Sequence, residues 1–125
     1  MGTFHADVRD AFLDAFARNT SYSNAAVWVK LHIGDPGVDG TGNPAGETTR
    51  QQATFGAAAS AGAISNTAAV EWTNVSNSET LSHISLWTAE TVGTFLGSDD
   101  LSSTAAVTAG DTFRIPIGDL DLTIS

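Results

Sequence analysis

The chain contains no cysteine. That excludes disulfides, thiolate metal sites and cysteine nucleophiles, so its stability must come from packing or oligomerisation. It is also poor in basic residues: 5 Lys and Arg stand against 14 Asp and Glu, a formal net charge of −9. The cationic footprint of a nucleic-acid-binding surface is missing, and duplex phosphates would be repelled, so no nucleic-acid partner is expected. Charge of either sign is scarce, at 15% of residues. The remaining surface must be Ser, Thr, Asn, Gly and Ala, a composition common where protein packs on protein. No window approaches the ~18 apolar residues of a membrane span, and no membrane partner is expected. The opening MGTFHADVRDAF lacks a basic region followed by an apolar run, so no signal peptide is expected. Ala6 stands where a myristoylation motif requires Ser or Thr.

At 125 residues the chain reads as one domain, 1–125. That length can bury roughly two-thirds of its unfolded surface, enough for one core. Thr3 to Arg18 predicts an amphipathic helix with Thr3 as N-cap and Asp7 and Asp10 in the first turns. Phe4, Val8, Phe12 and Phe16 recur every four residues and form one apolar stripe. Asp14 and Arg18 are a favourable i,i+4 pair on the other face. The stripe must pack against the sheet of its own chain or against a neighbouring subunit.

From residue 27 onward the period changes from helical to two. Val27–Ile33 is the clearest strand, with Val27, Val29, Leu31 and Ile33 on one face and Trp28, Lys30 and His32 on the other. Gly34–Thr49, with five glycines and two prolines, reads as a long loop. Loops of that length in a compact domain are usually functional or mobile, so this one is a candidate contact element. Arg50–Phe55 reads as a short strand, Gly56–Ala63 as a loose connector, and Ile64–Trp72 as another extended stretch. Asn74–Glu79 is a turn cluster. Thr80–Trp87 is a strand, and Thr94–Gly97 and Ala105–Val107 are short strands around an acidic turn at Asp99–Asp100. The last sixteen residues, GDTFRIPIGDLDLTIS, give two alternating runs split by a Gly-Asp turn. Phe113, Ile115 and Ile117 share one face of the first, and Leu120, Leu122 and Ile124 one face of the second. The expected fold is mainly β: an antiparallel, jelly-roll-like β-sandwich of about seven or eight strands over 27–125, with one N-terminal amphipathic helix.

The ordered series LHIGDPG (31–37), TRQQATFG (49–56), ISNTAAVEW (64–72), LSHISLW (81–87) and AGDTFRIPIGDLDLTIS (109–125) resembles a family of small virion proteins of tailed bacteriophages, labelled tail-fibre, minor-tail or head-decoration proteins. The resemblance runs over nearly the whole chain, and it is the order and spacing of the blocks together that carries it. It implies a structural component of the virion, made in the host cytoplasm. It further implies a homo-oligomer, by analogy a homotrimer, that contacts other phage head or tail proteins, with no catalytic residues to carry over. The chain departs from the family pattern in its Ala-rich GAAASAGA after TFG and in the short loop from Trp87 to Thr94.

Few constellations suggest chemistry. His5, His32 and His83 show no HxH or HExxH spacing, although His32 and His83 would approach each other if their strands pair. Asp35, Asp39 and Asn43 recur at four-residue intervals in the loop, where a calcium loop needs ligands at every second position; they read as turn formers. Ala58–Gly62 lacks the first glycine and the context of a nucleophile elbow. The scattered acids Glu47, Glu71, Glu79 and Glu90 give no sign of a converging glycosidase pair, and the Gly-rich loop lacks the GK[ST] ending of a phosphate cradle. No enzyme activity, metal or cofactor is expected. Trp28, Trp72 and Trp87 read as packing residues or as anchors for a subunit or sugar, Trp28 being the best candidate anchor because its strand has a complete apolar face opposite it. The candidate contact residues are therefore Phe4, Val8, Phe12 and Phe16 on the helix, Trp28, and Asp35, Pro36, Val38 and Asp39 in the loop. The alternative to a decorating structural role is a receptor- or carbohydrate-binding tail-fibre module, with a host-surface glycan as partner.

Overall fold

The computed structural model describes residues 3–123. Nine strands and one helix follow in the order β1 (Thr3–Phe4), α1 (Ala6–Ala17), β2 (Val27–His32), β3 (Gln51–Ala53), β4 (Ala63–Ser65), β5 (Val70–Trp72), β6 (Glu79–Trp87), β7 (Phe95–Val107), β8 (Phe113–Ile115) and β9 (Asp121–Thr123). The main sheet has the order β1-β7-β6-β2-β3, and two ribbons pair β4 with β9 and β5 with β8. Every pairing is antiparallel. The protein is mainly β, with a sandwich-like arrangement and a short N-terminal helix.

The alternation in β2 sets the layers. Val29 lies opposite Leu86 and Leu31 opposite Ile84, and all four are buried. The same core takes Val8 from the helix, Val70 and Trp72 from β5, and Ile115 and Leu120 from the chain's end. On the other face of the sheet, Trp28 meets Trp87, Lys30 meets Ser85 and His32 meets His83.

Three expectations need correction. The helix begins at Ala6, with the His5 ring, not Thr3, capping it: Nδ1 accepts from the Asp7 N–H at 3.3 Å. Thr3 and Phe4 instead pair with Ser98 and Gly97 at the edge of β7, because an open sheet edge offers backbone partners that a helix N-terminus does not. The expected Asp14–Arg18 pair is present at 3.6 Å.

The acidic pair Asp99–Asp100 is not a turn. It lies inside one 13-residue strand, β7, opposite Ile84 and His83. The register shifts twice, between Leu86 and Trp87 and between Leu81 and His83. At the second shift, Leu101–Thr104 stand against Ser82 alone. These bulges let a long strand pair with a shorter one, and they break the two-residue alternation that would have marked it as continuous.

In the first closing run the strand ends at Ile115, so Ile117 does not continue the face of Phe113 and Ile115, and the two runs pair with different partners. β8 joins β5 and β9 joins β4. Ile117 falls in the turn between them and is 67% exposed, while Ile124 lies outside the described residues. Asn66 explains the separation. Its Oδ1 accepts from Gly118 N and Leu120 N, and its Nδ2 donates to Ala68 O and Pro116 O, all at 2.8–3.0 Å. A buried amide thus meets its full hydrogen-bonding capacity, tying the β4–β5 link to the β8–β9 turn. The stretch Ile64–Trp72 is accordingly split at Asn66 into β4 and β5.

Candidate interaction surface

The helix stripe divides. Phe4 and Phe12 rings meet edge to face at 5.2 Å, Phe12 and Tyr22 at 5.0 Å, and Val8 is buried. Phe4, Val8 and Phe12 do not close fully on the sheet. With Tyr22, Leu96 and Leu122 they line an apolar hollow of about 270 Å³ between the helix, the main sheet and the β4–β9 ribbon. Phe16 is not part of that packing. It is 87% exposed, and Leu13, three residues earlier, is 65% exposed. The helix has turned both outward by its last turn, where Asn19 takes a left-handed conformation (φ 56°) and ends it.

The 34–49 loop, read as a candidate contact element, is tied down within its own chain. Ile33 N donates to Asn43 O and Ala45 N to Leu31 O, extending the edge of β2. Glu79 accepts from Gly46 N and Glu47 N, and Glu47 accepts from Thr49 N and Ser76 N. Gly40, at φ +74°, presses so close to the Phe95 ring that a Cβ there would clash. Pro36 is buried, and Asp35 Oδ1 accepts from Gly37 N at 2.9 Å, a turn-forming role. Asn43 likewise spends its side chain locally, donating to Asp35 O. At its tip, Val38 is 84% exposed and Asp39 is exposed beside it. Val38 and Asp39 share a shallow hollow with Arg9 and Phe95, which brings the loop tip next to the helix.

His32 and His83 do face each other across β2 and β6. Their rings, however, go elsewhere. His32 Nδ1 is 2.8 Å from Gly42 O, and Nε2 is 2.7 Å from Ser85 Oγ, which accepts from Trp87 Nε1 at 2.7 Å. A carbonyl can only accept, so His32 carries its proton on Nδ1 and takes the Ser85 hydroxyl proton at Nε2. Burial holds the His32 pKa below its usual value. His83 Nδ1 pairs with Ser82 Oγ at 2.8 Å. Among the described residues, no group of three or more His, Cys, Asp or Glu is placed to hold a metal.

Trp28 lies on the outer face, partly exposed, opposite both Trp87 and the exposed Gln52. Arg50 reaches over this face. Its guanidinium carbon sits 4.3 Å from the Trp87 ring centroid, and Nη1 donates to both Ala89 O and Val92 O at 2.8 Å. This clamp fixes the hairpin between β6 and β7, in which Val92 has the left-handed φ of 56° and is 84% exposed. Partial burial lowers the Arg50 pKa. Sequence reasoning missed Arg50, Ser85 and Asn66. Arg50 gave a faint signal, a cation in a strand in a chain with few cations, whereas Ser85 and Asn66 gave none.

A second hollow, of about 250 Å³, lies where β7 bulges, lined by Asp99, Asp100, Arg114, Pro116 and Asp119. Arg114 is already committed to Glu71 across the β5–β8 ribbon at 2.7 Å, and burial pushes the Asp99 carboxyl up.

The candidate interaction surfaces are an exposed helix edge, a loop tip and an aromatic sheet face. The family model described as Podophage GP4 fiber I protein gp80 matches residues 3–123. The chain belongs to this family. It is a bacteriophage fibre protein, a structural component of the virion associated with the tail. No curated protein matches the chain. Within the Podophage GP4 fiber I family match lie the helix, the 34–49 loop and all nine strands.

Proposed function

We propose that this fibre-family chain is a non-enzymatic structural subunit that assembles with copies of itself, as a trimer, and with neighbouring virion proteins through its N-terminal helix. One observation carries this reading: Leu13 and Phe16 stand exposed in the C-terminal half of a helix that Val8 and Phe12 anchor to the core. An apolar pair on a rigid support is the surface that a partner covers. The hollow lined by Phe4, Val8 and Phe12 lies on the same element and widens the apolar area. Asp35 and Pro36 hold the loop tip, and Val38 and Asp39 form a second contact beside the helix. Small contacts of this kind gain strength by symmetry and avidity.

Sedimentation equilibrium tests the assembly: the expected mass is three times that of the chain, falling to one for Phe16→Asp. A monomer at all concentrations sinks the self-assembly reading. Immunogold labelling of intact virions tests location, with gold expected at the tail. Gold over the whole head shell would assign a decorating role on the capsid instead.

A second reading, a carbohydrate-binding fibre module, is favoured by the sheet face at Trp28. There an indole lies beside exposed polar side chains and outside the core.

A further inference from the structure

We infer that the outer sheet face around Trp28 binds an acidic saccharide, with Trp28 as the stacking surface and Lys30 and Arg50 as the anion contacts. This inference rests on the carbohydrate-binding reading and adds to it the charge of the sugar.

The distribution of cations carries the argument. The chain has five Lys and Arg residues against a net charge of −9. Arg114 is bound to Glu71 and Arg18 to Asp14. Lys30, Arg50 and the helix residue Arg9 have no carboxylate partner among the described residues, and of these three only Lys30 and Arg50 lie together on the sheet face. Two uncompensated cations therefore share one face of an acidic protein, and they flank its two neighbouring tryptophans. Lys30 follows Trp28 by two residues, which places the side chains about 7 Å apart on the same face. Gln52 stands directly across from Trp28 and is exposed, adding an amide for sugar hydroxyls.

Arg50 is pre-organised. It spends Nη1 on Ala89 O and Val92 O and lies on the Trp87 ring, which fixes the plane of its guanidinium. Nε and Nη2 are left as donors, and a planar fork of that kind matches a carboxylate. A neutral sugar would use the indole and the amide but leave both cations idle. A nucleic acid would need a far broader basic surface to offset the charge of the whole chain. Glu90 is exposed in the hairpin that Arg50 clamps, and the buried Glu47, three residues before Arg50, is spent on backbone N–H groups of Thr49 and Ser76.

The test is titration of the full chain, followed by tryptophan fluorescence, with polygalacturonate oligomers, oligosialic acid and, as the neutral control, dextran. The expected result is quenching by at least one acidic glycan and none by dextran, with binding weakened by added salt. Lys30→Gln should weaken that binding about tenfold, the scale of one charged hydrogen bond, and Trp28→Ala should abolish it. Arg50 also holds the hairpin, so Lys30→Gln tests the charge without touching the fold. Binding of dextran as tight as that of the acidic glycans overturns the acidic assignment and leaves the carbohydrate reading standing. Acidic binding that ignores both Lys30→Gln and Trp28→Ala overturns this location. Binding of none of the three overturns the inference and the carbohydrate reading together.

Discussion

His32 Nε2 lies 2.7 Å from Ser85 Oγ, inside the sheet and away from solvent. The pairing resembles a serine–histidine dyad in geometry, but its surroundings give it a different role. Nδ1 donates to Gly42 O, so the imidazole fastens the 34–49 loop to the sheet, and the serine hydroxyl is committed between His32 and Trp87. The relay is a latch between β2, β6 and the loop.

The latch should respond to acid. His32 has a folded-state pKa below its unfolded value, because burial penalises the imidazolium and Lys30 and His83 add repulsion. Its contribution to stability is therefore complete above the unfolded pKa of about 6.5 and is lost as pH falls through 6.5 towards the folded pKa. The slope attributable to one proton is at most about 1.4 kcal/mol per pH unit. Urea unfolding at pH 5 to 8 should show this loss in the wild type. His32→Gln should be less stable at neutral pH and should lack that share of the pH dependence. Equal slopes in both proteins would remove His32 as the titrating group.

Asn66→Ala should cost about 2–4 kcal/mol, because it orphans Leu120 N and frees two carbonyls in a buried region. Asn66→Asp keeps the acceptor but sets a carboxylate against Ala68 O and Pro116 O, so it too should destabilise. Chemical denaturation with amide exchange at β8 and β9 reads both. A loss under 1 kcal/mol would mean that the ribbons are held by their own pairing.

Phe12 and Phe16 should part company. Phe12→Asp puts a charge between the rings of Phe4 and Tyr22 and should cost about 3 kcal/mol or more, enough to unfold a marginal domain. Phe16→Asp should move stability by no more than about 0.5 kcal/mol while abolishing assembly. Thermal melts and sedimentation separate the two effects.

Val92→Gly should stabilise the protein. A β-branched residue at φ 56° is a backbone outlier that costs roughly 1–2 kcal/mol, and its exposed side chain returns little packing. Glycine removes the strain at some cost in unfolded-state entropy, leaving a gain of about 0.5–1 kcal/mol. A fall in Tm would show that the Val92 side chain makes a contact that offsets the strain.

How much of this was legible in the sequence depended on local pattern. Val27–His32 kept its alternation, Glu79–Trp87 kept it around Ile84 and Leu86, and both were readable within a residue or so. β7 was not, because two bulges put Asp99, Gly97 and Leu96 out of phase with any two-residue repeat. The helix was legible by its stripe. Its first turn was lost to a sheet edge, and Phe16 was turned outward by the place where the helix stops. Trp28 was assigned to the correct face. The residues around it were hidden, since Arg50 arrives from the loop just before β3 and its clamp depends on backbone carbonyls that no side-chain pattern encodes. Asn66 acts on positions fifty or more residues away, a distance over which a single sequence carries no spacing signal.

The pairing of β1 with β7 and of β9 with β4 has a consequence for how the protein is made. Thr3 finds its strand partner at Ser98, and Thr123 finds its own at Ala63. Such a chain has a high contact order, and loop closure must be accomplished before the distant pairings repay it. During synthesis, the helix and its adjoining strand wait for β7, and the middle ribbons wait for β8 and β9. The polypeptide therefore leaves the ribosome with apolar edges open and completes its fold only after residue 123 is free. Until then, neighbouring nascent copies are alternative partners for the same edges.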